Sequence, residues 1–91
     1  MPTLHLLIKG KVQGVFYRAS AKKTAVALGI TGWVRNKDNG DVEALITGAQ
    51  IPLQKFVDWC RQGPAGATVD ELIEMEQEEI KFDSFSIKHE H

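Results

Sequence analysis

Arg18 closes a run, Gly10-Lys-Val-Gln-Gly-Val-Phe-Tyr-Arg18, in which two glycines lead into a stretch of helix-forming residues. Glycine permits backbone conformations closed to other residues and lets another atom approach the main chain. A helix start presents unpaired N–H groups and a positive dipole potential, which together attract an anion. A guanidinium adds a planar fork that matches two oxygens of one phosphate. Standing alone in a first helical turn, a cation is disfavoured by about 0.3–1 kcal/mol; an anion held between it and the amides reverses that sign. The run does not fit G-x-x-x-x-G-K-[ST], so any phosphate site here lacks a Walker lysine. Taken by itself the run also fits a plain turn with a solvated arginine.

Asn36 is the second residue of chemical interest. It ends Gly32-Trp-Val-Arg-Asn36, just before Lys-Asp-Asn39-Gly40. An asparagine there commonly satisfies local backbone, so its interest depends on what lies beside it. Other reactive types are poorly placed. Cys60 lies on an apolar stripe with no histidine near it in sequence and reads as a packed thiol. His89 and His91 sit in a terminal tail far from His5, so no metal site is expected. Trp33, Trp59 and the phenylalanines read as core or edge packing.

The elements that would position Arg18 and Asn36 follow from periodicity. Residues 3–9 alternate, with Leu4, Leu6 and Ile8 on one face, as in a strand. Residues 19–28 form a helix, with Tyr17, Ala21, Thr24, Ala25 and Leu28 on one side and Gly29 as its C-terminal cap. Residues 30–35 make a second strand, Asn39-Gly40 a hairpin signal, and residues 41–47 a returning strand with Val42, Ala44 and Ile46 inward. Pro52 suits the first turn of a second helix, whose stripe is Leu53, Phe56, Val57 and Cys60 and whose stop is Gly63-Pro64. Residues 68–77 give a fourth strand and residues 82–88 a short last one. The order β-α-β-β-α-β predicts an α+β ferredoxin-like sandwich, one antiparallel sheet with two helices on one face, in a single domain of residues 1–91. In that arrangement the first two strands are parallel with the third between them. Their ends are therefore about 10 Å apart on one sheet edge, a gap that Arg18 can reach and that a phosphate plus one water fills.

Both segments resemble signatures of the acylphosphatase family. The first matches G-x-V-Q-G-V-x-[FY]-R at Gly10, Val12, Gln13, Gly14, Val15, Tyr17 and Arg18; the second is similar at Gly32, Trp33, Val34, Asn36, Gly40, Val42 and Gly48. The resemblance extends over essentially the whole chain, to Gly63-Pro64 and Phe85-Ser-Ile87. It implies hydrolysis of acyl phosphates to a carboxylate and inorganic phosphate. It also implies that Arg18 binds the phosphoryl group with backbone N–H groups of the loop Gln13, Gly14, Val15, Phe16, Tyr17 and Arg18, and that Asn36 positions the attacking water. The family's mechanism has no metal, cofactor, phosphoenzyme or general-base carboxylate. Family members commonly close on an aromatic residue soon after the last strand. This chain has His89-Glu90-His91 there instead, which puts in doubt a contact from the terminal carboxylate to the site.

Composition bounds the partners. The chain has 91 residues, 43% hydrophobic, and a formal net charge of −1, enough for one modest core. Residues 1–40 hold seven cations (Lys9, Lys11, Arg18, Lys22, Lys23, Arg35, Lys37) against one anion, Asp38, whereas Asp70, Glu71, Glu74, Glu76, Glu78 and Glu79 crowd the second half, most simply on a solvated strand face. Such asymmetry steers small anions to one end. It does not suit a general nucleic-acid binder, which carries a basic surplus. A single-stranded RNA module would need an aromatic platform on its central strands, and Leu4-His5-Leu6 and Val42, Ala44, Leu45 offer none. A non-catalytic anion-binding module on the same fold is the other alternative. One cysteine, no apolar run near ~20 residues and no cationic leader predict a cytoplasmic protein without a membrane span. The absence of a second apolar stripe predicts a monomer.

Overall fold

The computed structural model describes residues 1–89. Its elements run β1 (Thr3–Lys11), α1 (Tyr17–Leu28), β2 (Thr31–Asn36), β3 (Val42–Thr47), α2 (Gln50–Gln62), β4 (Thr68–Gln77) and β5 (Phe85–Lys88). The strands form one sheet in the order β4-β1-β3-β2-β5, so β3 lies between β1 and β2 as the crossover geometry requires. The pairs β1–β3, β1–β4 and β2–β3 are antiparallel, as expected. The added strand β5 pairs with β2 in parallel, matching Val34 to Ile87 and Arg35 to Lys88.

Strand alternation sorts the side chains into two faces. On one, the cross-strand rows are Leu6–Ala44–Val34 and Ile8–Val42–Asn36. The aliphatic members of these rows share a buried core with Tyr17, Ala21 and Ala25 of α1 and Leu53, Phe56, Val57 and Cys60 of α2. Small alanines on α1 let that helix sit close to the sheet, and α2 fills the remaining depth with Phe56, whose truncation to alanine would cost about 3–5 kcal/mol. Burial pushes the Cys60 thiol up to about 12, in keeping with a packing role. Gly29 caps α1 in the left-handed conformation at φ 72°, its N–H and the next reaching the Val26 and Ala25 carbonyls. Gly32 (φ 133°) lies in mid-strand because a Cβ there would run into the Leu45 carbonyl.

The other face carries no helix. Glu43 sits there between His5 (Nε2 to Oε2 2.7 Å) and Arg35. Burial alone would raise the Glu43 carboxyl, but hydrogen bonds from His5 and Arg35 outweigh it and hold it below the ordinary range. Trp33 lies under two cations, with Arg35 at 5.4 Å and Lys88 at 4.4 Å from its ring centre, an arrangement that favours charge over the π face.

Between β4 and β5 the chain returns across one end of this face. There Ile80 N–H donates to Thr3 Oγ1 (3.0 Å), Thr47 Oγ1 donates to the Ile80 carbonyl (2.7 Å), and the two hydroxyls are 2.7 Å apart. Since Thr47 gives its proton to Ile80, Thr3 must donate to Thr47, closing a ring of three hydrogen bonds.

The hairpin signalled by Asn39-Gly40 forms, joining β2 to β3 in antiparallel register; within its turn Gly40 alone has positive φ (97°), and Lys37 N–H donates to Asp41 O (2.8 Å) around three intervening residues. Asn39 turns its side-chain oxygen to the Asp41 N–H (3.1 Å). Two other sequence expectations change. The acidic residues of β4 are solvated but do not share a face, since Glu71 pairs with Lys9 while Glu74 and Glu76 pair with Leu6 and Leu4 on the helix side. Finally, Phe56 and Phe85 are core, whereas Phe16 is 82% exposed. It precedes the first helical turn, outside the stripe that α1 turns to the sheet.

Candidate active site

Arg18 and Asn36 line one cavity of about 320 Å³, together with Val12, Gln13, Gly14, Phe16, Tyr17, Ala19, Ile87 and His89. The sheet register explains the meeting. Asn36 ends β2 on the helix-covered face, in the row Ile8–Val42–Asn36, and its side chain points toward the start of α1, where Arg18 is the second helical residue. Arg18 is half-buried, and among the described residues no carboxylate pairs with it or lines the cavity. The result is a recess with one fixed positive charge.

The loop from β1 to α1 supplies donors. Gly14 adopts φ 74°, and a Cβ there would meet nothing within 4 Å, so the backbone at this point is open to an incoming group. Phe16 is the N-cap in the left-handed conformation (φ 62°, ψ 25°) and makes no side-chain capping bond. Among the described residues the amide N–H groups from 14 to 18 have no protein acceptor, as expected for the first turn of a helix. α1 has no acidic residue in its first turn, so no side chain of that turn neutralises its dipole there.

Two side chains fix this loop in place. Gln13 Nε2 donates to the Lys37 and Asp41 carbonyls, both at 2.8 Å, clamping the loop to the hairpin that carries Asn36. Tyr17 is 2% exposed and donates its hydroxyl to the Cys60 carbonyl at 2.7 Å; burial drives its ionisation far above the usual tyrosine range, so it serves as an anchor between the helices. Val15 packs against the core and does not line the cavity.

Asn36 carries an unmet demand. Its Oδ1 is buried and has no hydrogen-bond partner among the described residues. A buried acceptor left unpaired costs about 1–3 kcal/mol, which a water or ligand hydrogen would relieve. Asn36 therefore does not commit its side chain to the turn that follows it.

A family model for acylphosphatase matches residues 4–87. The chain belongs to the acylphosphatase family. A curated acylphosphatase of Syntrophus aciditrophicus is 44% identical over 91 residues, covering 99% of this chain and 95% of the relative. The crystal structure of acylphosphatase from Bacillus subtilis superposes with a TM-score of 0.92 at 31% identity over 97% of this chain and 99% of that one. An acylphosphatase structure from Coxiella burnetii gives 0.93 at 34% identity over 96% and 92%. The fold read from strand order is thus that of the acylphosphatases, a ferredoxin-like sheet and helix pair.

Sequence reasoning missed Ile87 and His89 as cavity residues. Both belong to the end of the chain, and only the parallel pairing of β5 beside β2 brings them next to Asn36. The terminal residues Glu90 and His91 lie outside the described residues. A larger recess, about 530 Å³ between Leu4, Gln50, Leu53, Glu74 and Glu76, has two carboxylates and no cation in its lining and does not suit an anion. No group of three or more His, Cys, Asp or Glu among the described residues could hold a metal ion. No helix there is long and apolar enough to cross a membrane.

Proposed function

We propose that this protein, acting as a single domain, hydrolyses the carboxyl–phosphate bond of acyl phosphates. The observation that carries the reading is the convergence, in one cavity, of Arg18, the open amides at the start of α1 and the unpartnered Oδ1 of Asn36. Family membership supports the same reaction.

In this mechanism the phosphoryl group sits at the helix start. Arg18 holds two of its oxygens in a bidentate pair, and the loop amides hold the third. Asn36 Oδ1 accepts a hydrogen from a water and aims that water's lone pair at phosphorus. Attack forms the new P–O bond as the P–O bond to the acyl group breaks; the acyl oxygen leaves as a carboxylate, and the water's proton passes to product phosphate or solvent. A carboxylate is a good leaving group, and the transition state is loose. Positioning and charge stabilisation then suffice without a general base, and with Arg18 carrying the charge the step needs no metal.

Hydrolysis of benzoyl phosphate, followed by loss of ultraviolet absorbance, tests the function. Turnover that persists in EDTA supports the metal-free step. No turnover sinks the function, and inactivation reversed by an added metal overturns the metal-free route.

A further inference from the structure

The cavity is larger than its phosphate end requires. At about 320 Å³ it has room for about ten waters at ~30 Å³ each, more than a phosphoryl group and one water displace. It also falls at the lower end of the ~300–1,000 Å³ of pockets that enclose whole small ligands. The polar groups, Arg18 and Asn36, come from the β1–α1 and β2–β3 ends of the sheet. The remainder of the lining includes Phe16 and, from the end of β5, Ile87 and His89. A phenyl ring and a sec-butyl chain offer nothing to a phosphate oxygen.

Phe16 is an unusual residue for its position. It is the one non-glycine residue with positive φ among those described, and it is 82% exposed. Bulky residues are rarely found in the left-handed region, which glycine or asparagine enters readily. Neither the conformation nor the exposure of a large apolar ring favours folding, and such outliers point toward function. The same conformation holds the ring at the mouth of the cavity rather than in the core.

We infer that Phe16, with Ile87 and His89 of the same lining, forms a wall that receives the acyl end of the substrate and selects acyl phosphates whose acyl group is flat and apolar. This rests on the proposed acyl phosphate hydrolysis and deepens it. An aromatic acyl group would stack on the Phe16 ring and lie against the imidazole of His89 in offset or edge contact; a two-carbon acyl group is too short to reach both.

The test compares kcat/KM for benzoyl phosphate and acetyl phosphate in the full chain, in the native protein and in Phe16→Asn, Phe16→Tyr and His89→Ala. Asparagine suits the left-handed backbone but has no ring, so the benzoyl-to-acetyl ratio should fall about tenfold through KM. Tyrosine keeps the ring and should keep the ratio, while His89→Ala should lower it by a smaller factor. A Phe16→Asn protein that changes on both substrates by one common factor, or not at all, overturns the wall. If the native protein hydrolyses neither compound, the function itself fails, a result distinct from an unchanged ratio.

Discussion

At the scale of single residues, the proposed mechanism divides the site between a charge that binds and an amide that aims. Arg18→Lys keeps the positive charge but loses the two-pronged geometry. It should recover little of the activity lost in Arg18→Ala; near-native kcat/KM in the lysine variant would show that charge alone suffices. Asn36→Ala removes the unpartnered acceptor that the mechanism gives to the water and leaves Arg18 and the amides untouched. Turnover of that variant should fall about a hundredfold or more, roughly 3 kcal/mol, while inhibition by inorganic phosphate stays close to native. If Asn36 only shaped the turn, the variant would lose about 1 kcal/mol of stability and keep its turnover. Measuring turnover, phosphate inhibition and the unfolding midpoint on one preparation separates the two. The meeting of Arg18 and Asn36 in one cavity was legible in sequence because each ends a segment with a physical signature, glycines before a helix in one and a strand before a turn in the other. Phe16 was placed in the loop, but the exposure of its ring was not legible, since a ring at positive φ looks in sequence like any core phenylalanine.

At the scale of elements, alternation revealed most of the sheet, because Leu4, Leu6 and Ile8 of β1 and Val42, Ala44 and Ile46 of β3 recur at every second residue. Strand β5 has four residues, too few for a period to fix its partner or direction. Its parallel seat beside β2 follows a crossing tied down by Thr3, Thr47 and Ile80, contacts between residues far apart in sequence. Ile87 and His89 could not be assigned to the site for that reason. The helix-free face makes its own prediction. With its carboxyl held below the ordinary range, Glu43 is ionised more readily in the folded chain than in the unfolded one. Its contribution to stability is therefore present above the ordinary carboxylate range and is lost as pH falls through its lower folded value. Urea midpoints of native protein and Glu43→Gln from pH 7 down to pH 3 should converge in acid. Parallel curves would show that the His5 and Arg35 contacts have no linked proton.

At the scale of the whole molecule, the uneven charge of the sequence has a structural counterpart. The acidic strand β4 is separated from the Ile87–His89 side of the cavity by β1, β3 and β2. With an anion cradle as proposed at Arg18, the folded chain should be stabilised by the anion. At a hundredfold excess over the dissociation constant, phosphate or sulfate should add about 2.7 kcal/mol, seen as a rise in Tm. The Arg18→Ala protein should show a much smaller rise; equal rises in both would place the anion elsewhere.

The parallel pairing of β5 with β2 also sets the order in which activity can arise. Gly32 pairs with Phe85, so seating β5 closes a loop of about fifty residues, an entropically costly step that favours slow folding. During synthesis, at ~5–20 residues per second, Arg18 and Asn36 leave the ribosome seconds before Ile87 and His89, and the cavity stays incomplete until then. Refolding from urea straight into substrate should therefore show a lag in product formation that matches the slowest phase of tryptophan fluorescence. Product formed without a lag would mean that Arg18 and Asn36 work before the last strand arrives.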